Sequence, residues 1–200
     1  MLPTSQLRPT GTFCSYSAET SADIKSEITP IQIEEARASG RLYIKDCDIE
    51  YLPQLPNEIT SVTIENCNNL TTLTGLPVNT QNLSVINCEK LQITDMPSTV
   101  KNLHIELTDS PFIHFISEGI ECLTVCHCYI SGVPESVRYL EIKGSATDSI
   151  KNVPNGLSSL SINSYNPENQ ARIDNLISPS LKTLSLTGCS NFILPEKLPE

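Results

Sequence analysis

A pair of branched aliphatic residues separated by one position returns about every twenty residues along this chain. The pairs are Leu42/Ile44, Val62/Ile64, Leu83/Val85, Leu103/Ile105, Leu123/Val125, Leu140/Ile142, Leu160/Ile162 and Leu184/Leu186. Their first members lie 20, 21, 20, 20, 17, 20 and 24 residues apart. Seven near-equal intervals mark an internal repeat. In a strand the side chains alternate, so both members of a pair point to one face and the residue between them to the other. One such unit cannot bury its apolar row alone. Stacking the next coil about 4.8 Å away builds a continuous interior. The return leg between strands is too short for a full helix and its two loops.

Proline marks that return leg. Leu52-Pro53, Leu76-Pro77, Met96-Pro97, Val133-Pro134, Val153-Pro154 and Leu194-Pro195 recur at similar phase, with second copies at Leu55-Pro56 and Leu198-Pro199. Proline fixes φ and lacks a donor, so it suits an extended back and excludes a helical one. The longer pattern L-x-x-L-x-L-x-x-N/C fits Ile59, Val62, Ile64 and Cys67, then Ile120, Leu123, Val125 and Cys128, then Leu181, Leu184, Leu186 and Cys189. The expected fold is an α/β-class leucine-rich-repeat solenoid. About eight short strands form a curved parallel sheet on its concave side, with extended or 3-10 segments on the convex side.

Cys47, Cys67, Cys88, Cys128 and Cys189, five of the eight cysteines, fall at the turn after a strand. In this repeat class that position holds Asn or Cys, pointing inward where a small polar group bonds the loop backbone. Thr108, Ser145 and Tyr165 take the position in other coils. Disulfides between stacked neighbours would need Cβ atoms about 3.8 Å apart, closer than the coil spacing. These cysteines therefore read as buried, reduced thiols in a reducing compartment.

Residues 1–28 are rich in Ser and Thr, lack the apolar core of a Sec signal peptide, and read as disordered. Residues 29–40 read as a capping helix, with Thr29 as N-cap, Pro30 at the first helical position and Gly40 at the exit. Its apolar residues are expected to cover the open end of the stack. The repeat domain spans 41–200. It ends in a new return leg without a closing cap, so the C-terminal end reads as truncated. The longest interval holds a polar insertion from Asn166 to Gln170, followed by a stretch to Ile177 able to form a helical turn.

The sequences leading into Val62/Ile64, Leu83/Val85 and Leu140/Ile142, with Leu52, Pro53, Leu55 and Pro56 as the fullest example, resemble the LPxLPxxLxxLxV repeats of the YopM-type and IpaH-type leucine-rich effectors. The similarity covers residues 40–200. It implies a bacterial protein injected into host cells by type III secretion, with an unstructured N-terminal secretion signal, a helical segment before the repeats and a host-protein partner. Members of the IpaH type add a C-terminal ubiquitin-ligase domain, for which the repeats choose the substrate; no part of it is present here. Cysteine at the turns, Thr80, Thr108, Phe115 and Ile116 depart from the consensus.

A net charge of −10 opposes nonspecific binding to nucleic acid or an anionic membrane, and no apolar run is long enough for a membrane-spanning helix. Cys122, Cys126, His127 and Cys128 look at first like a metal cluster. Alternation puts Cys128 inward and Cys122 and Cys126 outward, although His104 could join either of the latter. No metal, cofactor or catalytic residue is expected, and the chain is read as non-enzymatic. The expected partner-binding surface is the row of outward strand residues Tyr43, Lys45, Glu65, Ile86, His104, Glu106, Leu107, His127, Glu141 and Lys143, with its apolar and aromatic members as anchors. Three functions fit: an interaction module of the effector kind, the substrate-recognition part of a ubiquitin ligase, or a structural repeat protein.

Overall fold

In the computed structural model, residues 27–93, 96–107, 112–113, 116–144, 150, 153–163 and 176–188 are described. The expected disordered segment through residue 26, Thr108, Ser145, Tyr165, Cys189, the insertion at 166–175 and the tail at 195–200 lie outside them.

The aliphatic pairs form strands, each five residues long. In chain order the elements are α1 (Pro30–Ser39), β1 (Arg41–Lys45), β2 (Ser61–Glu65), β3 (Asn82–Ile86), β4 (Asn102–Glu106), β5 (Phe112–Ile113), β6 (Cys122–Cys126), β7 (Tyr129–Ile130), β8 (Tyr139–Lys143), β9 (Ser159–Asn163) and β10 (Thr183–Thr187). Eight strands make one parallel sheet in the order β1-β2-β3-β4-β6-β8-β9-β10, and β5 pairs with β7 as a separate two-stranded piece. The chain is a repeat solenoid. Every pairing aligns the aliphatic residues: Leu42 faces Val62, Val62 faces Leu83, and so on to Leu160 and Leu184. Second and fourth strand positions are buried from β1 to β9, whereas in β10 Leu184 and Leu186 are half-buried.

The return legs bury a residue at nearly every third position. Between β2 and β3 these are Cys67, Leu70, Leu73, Leu76 and Thr80. The leg between β6 and β8 omits one three-residue step, running through Cys128, Ile130, Pro134 and Val137. That omission accounts for its 17-residue interval without disturbing the pairing of Leu123 with Leu140. Before most strands of the main sheet a tight turn closes on a buried anchor, apolar in all but one of them. The N–H of Ile59 donates to Pro56 O, Val100 to Pro97 O, Val137 to Pro134 O and Leu157 to Pro154 O, at 3.0–3.2 Å. Proline supplies the carbonyl and presets its own φ. Thr80 replaces the apolar anchor of one turn and is fully buried, but its hydroxyl donates to Pro77 O at 2.8 Å, so its polar atom is satisfied.

At the strand starts one carbonyl accepts from two consecutive amides of the next coil. Gly40 O takes Thr60 and Ser61, Thr60 O takes Gln81 and Asn82, and Gln81 O takes Lys101 and Asn102. The pattern continues through Ser158 O, which takes Lys182 and Thr183. At the strand exits Asp46, Asn66, Asn87 and His127 adopt left-handed φ of 50–55°. Their amides extend the ladder to the following coil.

Helix α1 starts with a capping box: Thr29 accepts from the Gln32 amide and Gln32 accepts from the Thr29 amide. Gly40 closes it with φ 71°. Against β1 the helix buries Ala36 and part of Ile33, and Ile28 packs beside them. Ile31, expected to help cover the stack, is 71% exposed. Among the described residues no helix is long and apolar enough to cross a membrane.

Candidate functional site

Parallel pairing in register gathers the odd strand positions into three rows on the outer face of the sheet. The third positions run Tyr43, Thr63, Ser84, His104, Thr124, Glu141, Ser161 and Ser185; the fifth run Lys45, Glu65, Ile86, Glu106, Cys126, Lys143, Asn163 and Thr187. The period of about twenty residues thus becomes a lateral step of about 4.8 Å.

Two polar clusters interrupt these rows. In the first, Lys45 Nζ meets Glu65 Oε1 at 2.8 Å and the Tyr43 hydroxyl donates to the same carboxylate. The bond from Lys45, followed by that from Tyr43, holds the Glu65 carboxyl below its ordinary value. Partial burial first, then the bond to Glu65, raises the Tyr43 phenol, although half of the residue (51%) stays exposed.

The second cluster centres on β4, β6 and β8. His104 Nε2 lies 3.5 Å from Glu106 Oε2, and Lys143 Nζ lies 3.2 Å from Glu141 Oε1. Thr124 Oγ1 donates to Glu141 Oε2 at 3.4 Å. Burial lowers the His104 pKa despite the adjacent Glu106, which favours the neutral ring. Cys126 stands beside Glu106 on one side and Lys143 on the other. Its place is an outward one, as alternation demands, yet it is only 2% exposed, and burial pushes its thiol up to about 11. One ligand atom from each of His104, Glu106 and Cys126 lies within 4.8 Å of the other two. Ile86, half-buried, separates the two clusters in the fifth row.

Two of the expected surface residues stand elsewhere. Leu107 does not belong to the outer face: it is 4% exposed and packs into the core. Its neighbours in phase are polar residues or glycine in the left-handed region, a conformation disfavoured for leucine, and Leu107 does not adopt it. His127 is exposed just beyond the end of β6 with φ 53°, and its imidazole lies over Gly144, where a Cβ would collide with it.

The cysteines divide by phase. Cys47, Cys67 and Cys88 point inward, and each thiol donates to the carbonyl two residues earlier, Lys45 O, Glu65 O and Ile86 O, at 3.3–3.4 Å. The adjacent Cys88 thiol together with burial holds the Cys67 proton well above its ordinary value. Burial pushes Cys128 up to about 12. Cys122, half-buried, and Cys126 occupy opposite ends of β6, so about 13 Å of strand separates them. All six described cysteines are free thiols.

No family model, curated protein or solved structure matches the chain significantly.

Proposed function

We propose that this chain is a non-catalytic interaction module of the leucine-rich-repeat type, which binds a protein partner through the outer face of its eight-stranded sheet. The observation that carries this reading is the register. Eight parallel strands hold their odd positions in continuous rows, and seven inter-strand steps carry that face across about 34 Å. Such a face can present separate anchors to one partner. Tyr43 offers an exposed aromatic edge, Ile86 a half-exposed aliphatic one, and Lys45, Glu65, Glu141 and Lys143 surround them with charge. Apolar and aromatic anchors within a polar surround are the features that concentrate binding energy in protein interfaces. The acidic balance of the chain disfavours a nucleic-acid partner.

The resemblance of the proline-bearing repeats to injected leucine-rich effectors supports a partner inside a host cell, reached after secretion. A reducing destination agrees with the buried thiols at the turns.

The test is quantitative affinity capture from host-cell lysate with four proteins: wild type, Tyr43→Ala, Ile86→Glu and Val78→Glu. Val78 is exposed on a return leg and serves as the control. Prey lost with both outer-face variants and retained with Val78→Glu supports the reading. An identical set of prey from all four sinks it. Failure of residues 1–28 to carry a reporter into host cells would remove the secretion component and leave the interaction module standing.

A further inference from the structure

We propose that His104, Glu106 and Cys126 form a zinc site on the outer face of the sheet, with a fourth coordination position open toward solvent. The neighbouring strands β4 and β6 supply the three donors, and the repeat places them there. His104 and Glu106 are alternate residues of one strand, so both point outward. Register sets Cys126 directly beside Glu106 and diagonal to His104. Elsewhere on the described face the third and fifth positions carry hydroxyls, carboxylates, amides, amines or aliphatic groups. Among the described residues, an imidazole, a carboxylate and a thiol meet only here.

Distances fit a small tetrahedral ion. Bond lengths of about 2.0–2.3 Å place two ligand atoms of zinc about 3.3–3.7 Å apart. His104 Nε2 and Glu106 Oε2 stand at 3.5 Å already. All three donor atoms lie within 4.8 Å of one another, so the sulfur needs an approach of at most about 1.5 Å, within reach of side-chain rotation. The nitrogen, oxygen and sulfur set suits zinc, which accepts all three, and is unlike the all-oxygen shells of calcium and magnesium.

The surroundings agree with this use. His104 is kept neutral by burial, so its ring nitrogen is available as a donor. Cys126 is enclosed although its position faces outward, a departure from the half-exposed residues on either side of it in its row. Burial pushes the Cys126 thiol up to about 11 and the field of Lys143, which pairs with Glu141 at 3.2 Å, offsets only part of that, so the thiolate forms here as the ion binds and displaces the proton. The carboxylate and thiolate together neutralise a divalent ion.

Cobalt(II) titration of the reduced full chain is the decisive measurement, because a cobalt–thiolate bond gives a charge-transfer band in the near ultraviolet. One cobalt per chain, displaced by zinc, is expected. Cys126→Ser is expected to abolish the band. His104→Ala and Glu106→Gln are expected to weaken binding by at least about tenfold. Cys122→Ser, at the far end of β6, is expected to leave both unchanged. Zinc is also expected to raise the melting temperature of the wild type and not that of His104→Ala. Should Cys126→Ser fail to fold, the two half-exposed positions His104 and Glu106 decide the matter alone. Absence of the band in the wild type would overturn the proposal. So would full affinity in folded His104→Ala and Glu106→Gln.

Discussion

The turns that follow β1, β2 and β3 differ from the turn that follows β4 by one residue type. Asp46, Asn66 and Asn87 leave their strands in the left-handed region, and the next cysteine turns inward. Asn66 Nδ2 donates to Asp46 Oδ1 at 2.8 Å and Asn87 Nδ2 to Asn66 Oδ1 at 3.4 Å, so their side chains form a second, lateral ladder. After β4 the corresponding residue is Leu107. Its amide still donates to Cys126 O, but its side chain enters the core. A further short strand, β5, then pairs with β7 outside the main sheet. Asn and Asp tolerate positive φ because a short polar side chain bonds locally, whereas leucine gains more by burial.

The largest effects should come from forcing either kind of turn to behave like the other. Leu107→Asp places an uncompensated charge in the core and is expected to destabilise the chain by more than about 3 kcal/mol, measured by urea unfolding. Leu107→Asn restores the residue type of the earlier turns and is still expected to destabilise by about 2–4 kcal/mol, because a buried leucine is lost. The reciprocal change Asn87→Leu is expected to destabilise by about 1–2 kcal/mol through the left-handed backbone. Neutral behaviour of Leu107→Asn would show that the two kinds of turn are interchangeable.

The two kinds of turn also differ in how legible they are in the sequence. Spacing alone locates all eight long strands, because a branched pair with period two has one way to bury itself in a stack. Thr29, Pro30 and Gly40 locate α1, because capping chemistry is local. Alternation carried one residue past β4 turns Leu107 inward, where it lies; in the neighbouring coils a left-handed φ at that phase turns the side chain outward, and extending the outer row from them misplaces Leu107. The adjacency of Glu106 and Cys126 is implicit in the interval of 20 residues between their coils. Comparing the cysteines near residue 126 along the chain hides it, whereas counting across the sheet exposes it. The burial of Cys126 is not legible, since it depends on side-chain packing around an outward position.

A smaller difference is expected between two glycines. A Cβ at Gly75 would lie 2.8 Å from Leu52 O and 2.9 Å from Pro53 O, and φ there is 103°. Both carbonyls belong to the backbone of the preceding coil and cannot move independently. Gly75→Ala is therefore expected to destabilise by about 1–3 kcal/mol. At Gly144 a Cβ would meet the His127 ring, which is exposed and free to rotate away. Gly144→Ala is left with the backbone penalty alone, about 1 kcal/mol. Thermal unfolding of the two variants checks the order, and an equal loss in both would show that the coils near Gly75 can separate without penalty.

The cysteines give the next test. Cys67→Ser exchanges a buried thiol for a more polar hydroxyl at a site with a carbonyl acceptor at 3.4 Å. A loss of about 1–2 kcal/mol is expected. Cys122→Ser, on the half-buried outer row, is expected to change stability by less than about 0.5 kcal/mol. Thiol labelling separates the same two groups: Cys122 should react in the native state, while Cys67 and Cys88 should react only on unfolding. Rapid native labelling of the inward cysteines would break the view of them as core residues.

The smallest effect concerns the cluster at the first two strands. Glu65 has a folded-state pKa below its ordinary value because Lys45 and Tyr43 bond to its carboxylate. The unfolded chain therefore takes up this proton first as the solution is acidified. The contribution of Glu65 to stability is complete above its unfolded pKa, about 4.3, and is lost as the pH falls toward the lower folded value. Lys45 has the complementary behaviour: its bond to Glu65 raises its pKa, and its contribution fades as the pH rises through the alkaline range. The Lys45 side chain is 44% exposed and that of Glu65 22%, so solvent reaches the pair and screening keeps the effect slight. In Glu65→Gln the acid-side slope of stability against pH should flatten between about pH 5 and pH 3, measured by urea midpoints at low salt and again at high salt. A slope unchanged in Glu65→Gln would mean that the contacts of Lys45 and Tyr43 with Glu65 do not persist in solution. The Tyr43 edge of the binding face would then be free to reorient when a partner arrives.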